Sequence, residues 1–337
     1  MFARTLSTLT GALALVFMAS GPAEAAVGDK DKVTCMYPVW VGFGPVHLAN
    51  ELGYFKEEGI TVEEILDDDM PNGVAAMERG DIDCYLRTIG EYQGLGRRKE
   101  TQGTILGTID LSTGGDGWAA DGEIKSVCDL KGKTIAVEPN LPARLIMQMA
   151  LKSQCNLSIK DTTLTDIAAA DAIGVFGDKN VAAVGTYEPV LSQVVEAHKS
   201  RGAHIVASSK DYNDLIMDVM FAHTGDLKAN PDKFVKFLRA MYRAVDYFNA
   251  NQEKAIPIIA KHFSVTPEDF KATLPNFRYT PYEEAIQLIG TAEKEGRAYE
   301  VFREAMKFNL EFGSSDVELK PEDHIDRSII NKVEKNW

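Results

Sequence analysis

Residues 131–151 read KGKTIAVEPNLPARLIMQMAL, and this stretch decides the fold. Lys131-Gly132-Lys133 is a polar turn, and Thr134-Ile135-Ala136-Val137 is a short apolar run of the kind that forms a buried strand. Glu138-Pro139-Asn140-Leu141-Pro142 cannot continue that strand, because its two prolines lack amide donors. Pro142 suits the first turn of a helix, and beyond Ala143 the apolar residues Leu145, Ile146, Met149 and Ala150 recur at helical spacing. The reading is strand, turn, helix. The turn lies at the carboxyl end of a strand, where open α/β sheets hold their ligands. Alone, the stretch is equally an ordinary βα unit with an ordinary loop.

The same alternation runs outward in both directions. Upstream, residues 33–36, 60–65, 82–86 and 104–109 read as strands, and Pro45 starts a helix with Val46, Ala49, Leu52 and Phe55 on one face. Downstream come a helix near 166–173, a strand at 181–184, the turn Tyr187-Glu188-Pro189, a helix at 190–200 and a strand at 203–206. From Pro231 the chain is mostly helical, with Phe234, Phe237, Met241, Val245 and Phe248 sharing a face. Alternation of this kind predicts mainly parallel sheets flanked by helices. Residues 110–123 are rich in Gly, Ser and Asp and read as a connection; the chain crosses into a second unit at 110–112 and back at 216–222. The expected organisation is a leader at 1–25, a first lobe at 26–111, a second at 112–217, and the rest of the first at 218–337.

The leader reads as a signal peptide. Arg4 supplies its basic region, residues 11–19 its apolar core, and Ala23-Glu24-Ala25 an A-x-A cleavage site. That core is too short to span a bilayer, so the mature chain is expected to be exported, soluble and periplasmic. Its 36 Lys and Arg against 50 Asp and Glu, a net charge of -14, argue against nucleic acid as a partner. Export permits disulfides. Cys128 precedes the strand at Thr134 and Cys155 follows the returning helix, so this pair is expected to be bonded. Cys35 and Cys84 both fall in predicted strands, and they stay open between a second bond and two free thiols. The cysteine spacings match no zinc pattern, and no metal site or cofactor is expected.

Taken in order, VTCMYPVWVGFGPVHLANELGYFKEEGI from Val33, GDID at 80–83, DLKGKTIAV at 129–137 and YEPVLS at 187–192 resemble the nitrate/sulfonate/taurine type of periplasmic solute-binding protein, a component of ABC importers. The fold is shared with a pyrimidine synthase. The resemblance covers essentially the whole mature chain. It implies a type II binding protein, with two α/β lobes, two hinge crossings, a ligand in the cleft, a permease and ATPase as partners, and a monomer. It further implies ligand contacts at Trp40, Gly42 and Phe43 after the first strand and at Arg87 and Thr88 after the third. Asp110, Glu138, Asn140, Ala143, Tyr187, Glu188 and Asp218 complete the implied set. Many relatives have a small Gly-Ser turn where this chain has Glu138-Pro139-Asn140-Leu141-Pro142, a departure that speaks against an anionic head group.

A cleft so built collects Asp110, Glu138, Glu188 and Asp218, with Asp116 nearby, against Arg87 and, a turn into a helix, Arg144. Buried carboxylates without cationic partners are costly, and Trp40, Phe43, Trp118 and Tyr187 offer aromatic faces to a cation. The expectation is a small cationic or zwitterionic nitrogen compound: an amine, a guanidine-like cation, an amino acid or a betaine. Arg87 is placed to take the anionic end of a zwitterion. Structural roles compete for each residue: hinge hydrogen bonds for Asp110 and Asp218, a helix start for Glu188, the core for Trp40, a surface or lid position for Trp118, pairing with Glu91 for Arg87, and turn formation for Asn140. The alternatives are an anionic sulfonate or pyrimidine-type ligand, a pyrimidine-synthase-like enzyme, and a binding protein that signals to a receptor. No G-x-S-x-G, H-E-x-x-H, P-loop or dinucleotide motif points to catalysis. The six histidines are scattered; His47 and His223 come nearest the predicted cleft, with core or surface placement expected for both.

Overall fold

A computed structural model describes residues 28–94, 97–98, 100–212 and 214–337. The expected leader lies outside the described residues. The strands in chain order are β1 (Lys32–Tyr37), β2 (Thr61–Leu66), β3 (Cys84–Thr88), β4 (Thr104–Ser112), β5 (Asp116–Ala120), β6 (Thr134–Val137), β7 (Thr163–Asp166), β8 (Val181–Tyr187), β9 (His204–Ser208), β10 (Met217–Ala222) and β11 (Phe277–Tyr279). They form a six-stranded sheet, β11-β4-β10-β3-β1-β2, and a five-stranded sheet, β7-β6-β8-β5-β9. The chain passes from the first sheet to the second between Ser112 and Asp116, and returns between Ser208 and Met217. At this double crossing the Ser209 hydroxyl lies 2.8 Å from that of Ser112 and accepts from the amide of Gly114 at 2.8 Å.

Both sheets are mixed rather than mainly parallel. β1 pairs in parallel with β2 and β3, and β6 with β7 and β8. β10 and β5 each sit between two antiparallel neighbours. The reason is topological. The parallel strands end at the cleft, and a strand that arrives from the other lobe starts there, so it must run the opposite way. The reading of residues 110–123 as a connection is therefore corrected: β4 continues to Ser112 and β5 is a fully buried inner strand. Gly117 is needed within β5, since a Cβ there would lie 2.8 Å from the Ala207 carbonyl oxygen. β7, which the sequence reading did not include, is the exposed edge of the second sheet, and the helix expected near 166–173 is reduced to short turns at 169–171 and 172–175.

The helices that position the site are α1 (Gly44–Glu51), α2 (Ile89–Gln93), α3 (Pro142–Cys155), α4 (Val190–Ala197), α5 (Pro231–Ala250), α6 (Gln252–His262) and α7 (Arg297–Phe312). α5 buries the predicted aromatic face, Phe234, Phe237, Met241, Val245 and Phe248, and packs on α1. Its Lys233 is buried against Asp226 and lies 3.3 Å from Asp83, the last residue of the GDID stretch, which also accepts from the Thr34 amide at 2.8 Å. α7 touches α2 of the first lobe and α3 of the second. Both disulfides are formed. Cys35 and Cys84 are register partners on β1 and β3, with Cα atoms 4.3 Å apart, and Cys128–Cys155 ties the end of α3 to the turn before β6.

Candidate functional site

The carboxyl ends of the parallel strands, with the amino ends of β5 and β10, face one narrow cleft that opens to solvent. Pro38, Trp40, Phe43, Arg87, Thr88, Glu91 and Asp218 line it from the first lobe, and Asp116, Leu141, Pro142 and Tyr187 from the second. Asp218 on β10 stands between Thr88 of β3 and Asp110 of β4 in direct register. Both aspartates are buried, and their carboxyl groups hydrogen bond to each other, which requires a shared proton. The Trp40 indole N–H donates to the Asp110 carboxyl oxygens at 3.3 and 3.4 Å. This approach depends on Gly42, where a Cβ would lie 2.2 Å from Asp110 Oδ2.

Burial dominates the electrostatics. It pushes the Asp110 carboxyl up to about 8, against the opposing pull of hydrogen bonds from Asp218 and Trp40. It pushes Asp116 up to about 7, with Glu91 and Glu188 adding repulsion and a hydrogen bond from Ser112 opposing it. Asp218 is raised well above the carboxylate range, by burial and then by the charge of Asp110. These three acids have no cationic hydrogen-bond partner among the described residues. Arg87 is already engaged. Its guanidinium lies 3.3 Å from Glu91 Oε1 and donates to the Tyr85 hydroxyl at 2.9 Å and to the Asp68 carbonyl at 3.1 Å. Thr88 caps α2: its hydroxyl accepts from the Glu91 amide, while Glu91 Oε2 accepts from the Thr88 amide and hydroxyl at 2.9 and 2.8 Å. Trp40 and Tyr187 meet edge-on across the lobes with ring centroids 6.1 Å apart.

The remaining predicted residues are placed elsewhere. Trp118 is fully buried in β5; its N–H donates to the Ala143 carbonyl and its ring covers Gly185. It is a core residue of the second lobe, not a surface or lid residue. Glu188 accepts from the Ser192 hydroxyl at 2.7 Å and the Ser192 amide at 3.2 Å, at the start of α4, and from the Asn276 amide group at 3.3 Å across the lobes. Glu138 accepts from the Ala169 amide at 2.9 Å, and burial raises its carboxyl. Asn140 adopts a left-handed backbone (φ 65°) and borders a second void with Arg144 and Gln148. Sequence reasoning did not propose Glu91 as lining and put Asp116 only near the cleft. The T-x-x-E capping box at 88–91 was a visible signal for the first. For Asp116, its place in the lining itself depends on β5.

The chain belongs to the NMT1/THI5-like family, whose model matches residues 40–255. A protein of Brucella abortus (strain 2308) named as a binding protein is 23% identical over 293 residues, 86% of this chain and 88% of that protein. The alkanesulfonate-binding protein SsuA of Xanthomonas axonopodis pv. citri, solved with MOPS, superposes with a TM-score of 0.71 at 15% identity, over 90% of this chain and all (100%) of that one. The periplasmic nitrate-binding protein NrtA of Synechocystis PCC 6803 gives 0.68 at 14% identity, over 91% of this chain and 87% of that one. The desulfurization enzyme DSZB shares the architecture too, at 0.63 and 15% identity over 90% of this chain and 98% of that one. The two-lobed fold is thus that of periplasmic binding proteins, and the fold by itself is compatible with catalysis as well as binding. No helix among the described residues is long and apolar enough to cross a membrane.

Proposed function

We propose that this chain is a periplasmic solute-binding protein of an ABC importer whose lobes, 26–111 with 218–337 and 112–217, close on a small cationic or zwitterionic nitrogen compound. One observation carries the ligand class. Asp110, Asp116 and Asp218 are desolvated beside an aromatic-walled cleft, and the one arginine that lines it is neutralised by Glu91. A cation entering there supplies the missing counter-charge, and Trp40, Phe43 and Tyr187 offer it ring faces and edges. A ligand held by both lobes stabilises the closed form relative to the open one. The family resemblance and neighbours named as binding proteins support delivery to a permease and ATPase.

An anionic ligand is the second reading. It is favoured by the Arg144 Nε and Gln148 Nε2 atoms, buried without partners among the described residues, in the void that shares Thr88, Glu91, Leu141 and Pro142 with the cleft. The sulfonate- and nitrate-binding neighbours point the same way. A thermal-shift screen at pH 8 over amines, guanidines, betaines and amino acids against taurine, alkanesulfonates and nitrate separates the two, since a bound ligand raises the melting temperature. Shifts confined to the anions overturn the cationic reading. Turnover with pyridoxal phosphate and iron would instead support the enzyme alternative.

A further inference from the structure

We propose that His47, Glu64 and His262 form a binding site for a divalent transition metal, suited to zinc, that pins α6 to α1 and the edge of the first sheet. The three residues come from α1, β2 and the last turn of α6, so no sequence spacing announces them. Each offers one ligand atom, and the three atoms lie within 4.8 Å of one another. His47 Nδ1 lies 3.2 Å from Glu64 Oε1, and His262 Nε2 lies 3.5 Å from Glu64 Oε2. Donors about 2.0–2.1 Å from a tetrahedral metal stand roughly 3.3–3.4 Å apart, so the His47–Oε1 separation is already that of a ligand–ligand edge, while His262 faces the other carboxylate oxygen and has to move to share the same one. The imidazole rings stack with centroids 3.7 Å apart and an interplanar angle of 15°. Convergence of their nitrogens on one ion needs a rotation of one ring out of that stack. With 15% of each histidine side chain exposed, a fourth position stays open to water.

The surroundings are those of a supported metal site. Asn50 Nδ2 donates to Glu64 Oε1 at 2.7 Å, and the Tyr37 hydroxyl donates to Glu64 Oε2, so the carboxylate is oriented from outside the triad. Glu51 Oε1 lies 4.0 Å from His47 Nε2, the nitrogen left free when Nδ1 binds a metal.

The test uses the mature protein freed of metal with a chelator. Titration with cobalt(II) should give the visible bands of a four-coordinate ion at one equivalent, and zinc should displace them and raise the melting temperature. Loss of an outer partner alone lowers metal affinity about 10–100-fold, so His47→Ala and His262→Ala should lower it at least that far. Because either variant could fail to fold, zinc protection of the wild-type histidines from diethylpyrocarbonate is read in parallel. His47 and His262 should be shielded, and the partly exposed His204, outside the cluster, should not. No saturable cobalt binding, unchanged affinity in a folded variant, or no zinc protection of His47 and His262 overturns the proposal.

Discussion

Asp116→Asn should make the ligand-free protein more stable at alkaline pH and, in the same stroke, poorer at holding a cation. Burial raises the Asp116 carboxyl from the ordinary 3.8 to about 7. A raised acid binds its proton more tightly in the folded chain, so folding is favoured at low pH and that advantage drains away as pH climbs toward the folded value. At about 1.4 kcal/mol per unit, the raised carboxyl costs the fold, relative to the unfolded chain, about 4 kcal/mol by pH 8 and about 1.5 kcal/mol at pH 5, where only the unfolded chain is ionised. The asparagine is neutral throughout. The stability gap between variant and wild type should therefore widen by about 2–3 kcal/mol from pH 5 to pH 8. The assay is equilibrium unfolding of both proteins at the two pH values without ligand. Calorimetry at pH 8 should show the variant binding an amine or guanidinium ligand about 10–100-fold more weakly, the loss of one charged hydrogen bond. A gap that does not change with pH, or a cation affinity untouched by the substitution, would refute the reasoning.

The same titrations make binding of a cationic ligand pH-dependent: below about pH 7 affinity should rise about tenfold per pH unit for each proton displaced, a slope that calorimetry in two buffers measures. Arg87→Met should destabilise by about 3–5 kcal/mol, because Glu91 is left buried without its charge partner; adding Glu91→Gln should recover much of that loss in denaturant unfolding. Cys128→Ser with Cys155→Ser opens a loop spanning a sequence separation of 27, worth about 3–4 kcal/mol in chain entropy, and should lower the denaturation midpoint accordingly. Gly42→Ala should weaken ligand binding while leaving the fold, since the added Cβ displaces the Asp110 carboxyl and the Trp40 indole by way of flexible side-chain atoms.

What was legible in the chain, and what was not, divides along range of interaction. The strand, turn and helix of residues 131–151 are local signals, and β6 and α3 form where periodicity and Pro142 put them. The Cys128–Cys155 bond follows from the same unit. β5 was missed because Asp-Gly-Trp-Ala-Ala between glycines has the composition of a loop; it is a strand only because β8 and β9 flank it. Trp118 was misplaced with it. Asp110 and Asp218 could be singled out as acids within apolar runs, but their direct pairing depends on the register of strands more than a hundred residues apart, which no local pattern encodes. The approach of His262 to His47 and Glu64 is hidden for the same reason.

The position of the acids also bears on how the cleft works. Carboxyl groups this deeply desolvated are a liability to a chain with nothing to bind, and part of that liability is met by letting them keep protons. Protonated carboxyls and an indole donor satisfy one another, so the ligand-free cleft can persist without an internal cation. A cationic ligand of the proposed kind would exchange those protons for its own charge where the lobes meet: Asp218 and Trp40 belong to one lobe, Asp116 and Tyr187 to the other. On the proposed reading, the charge that would recognise a cationic ligand is also the charge that would favour closure. A ligand lacking a positive group would leave those protons in place, and an anionic one would have to draw instead on Arg144 and Gln148 in the adjoining void, so the pH dependence of binding separates the two readings.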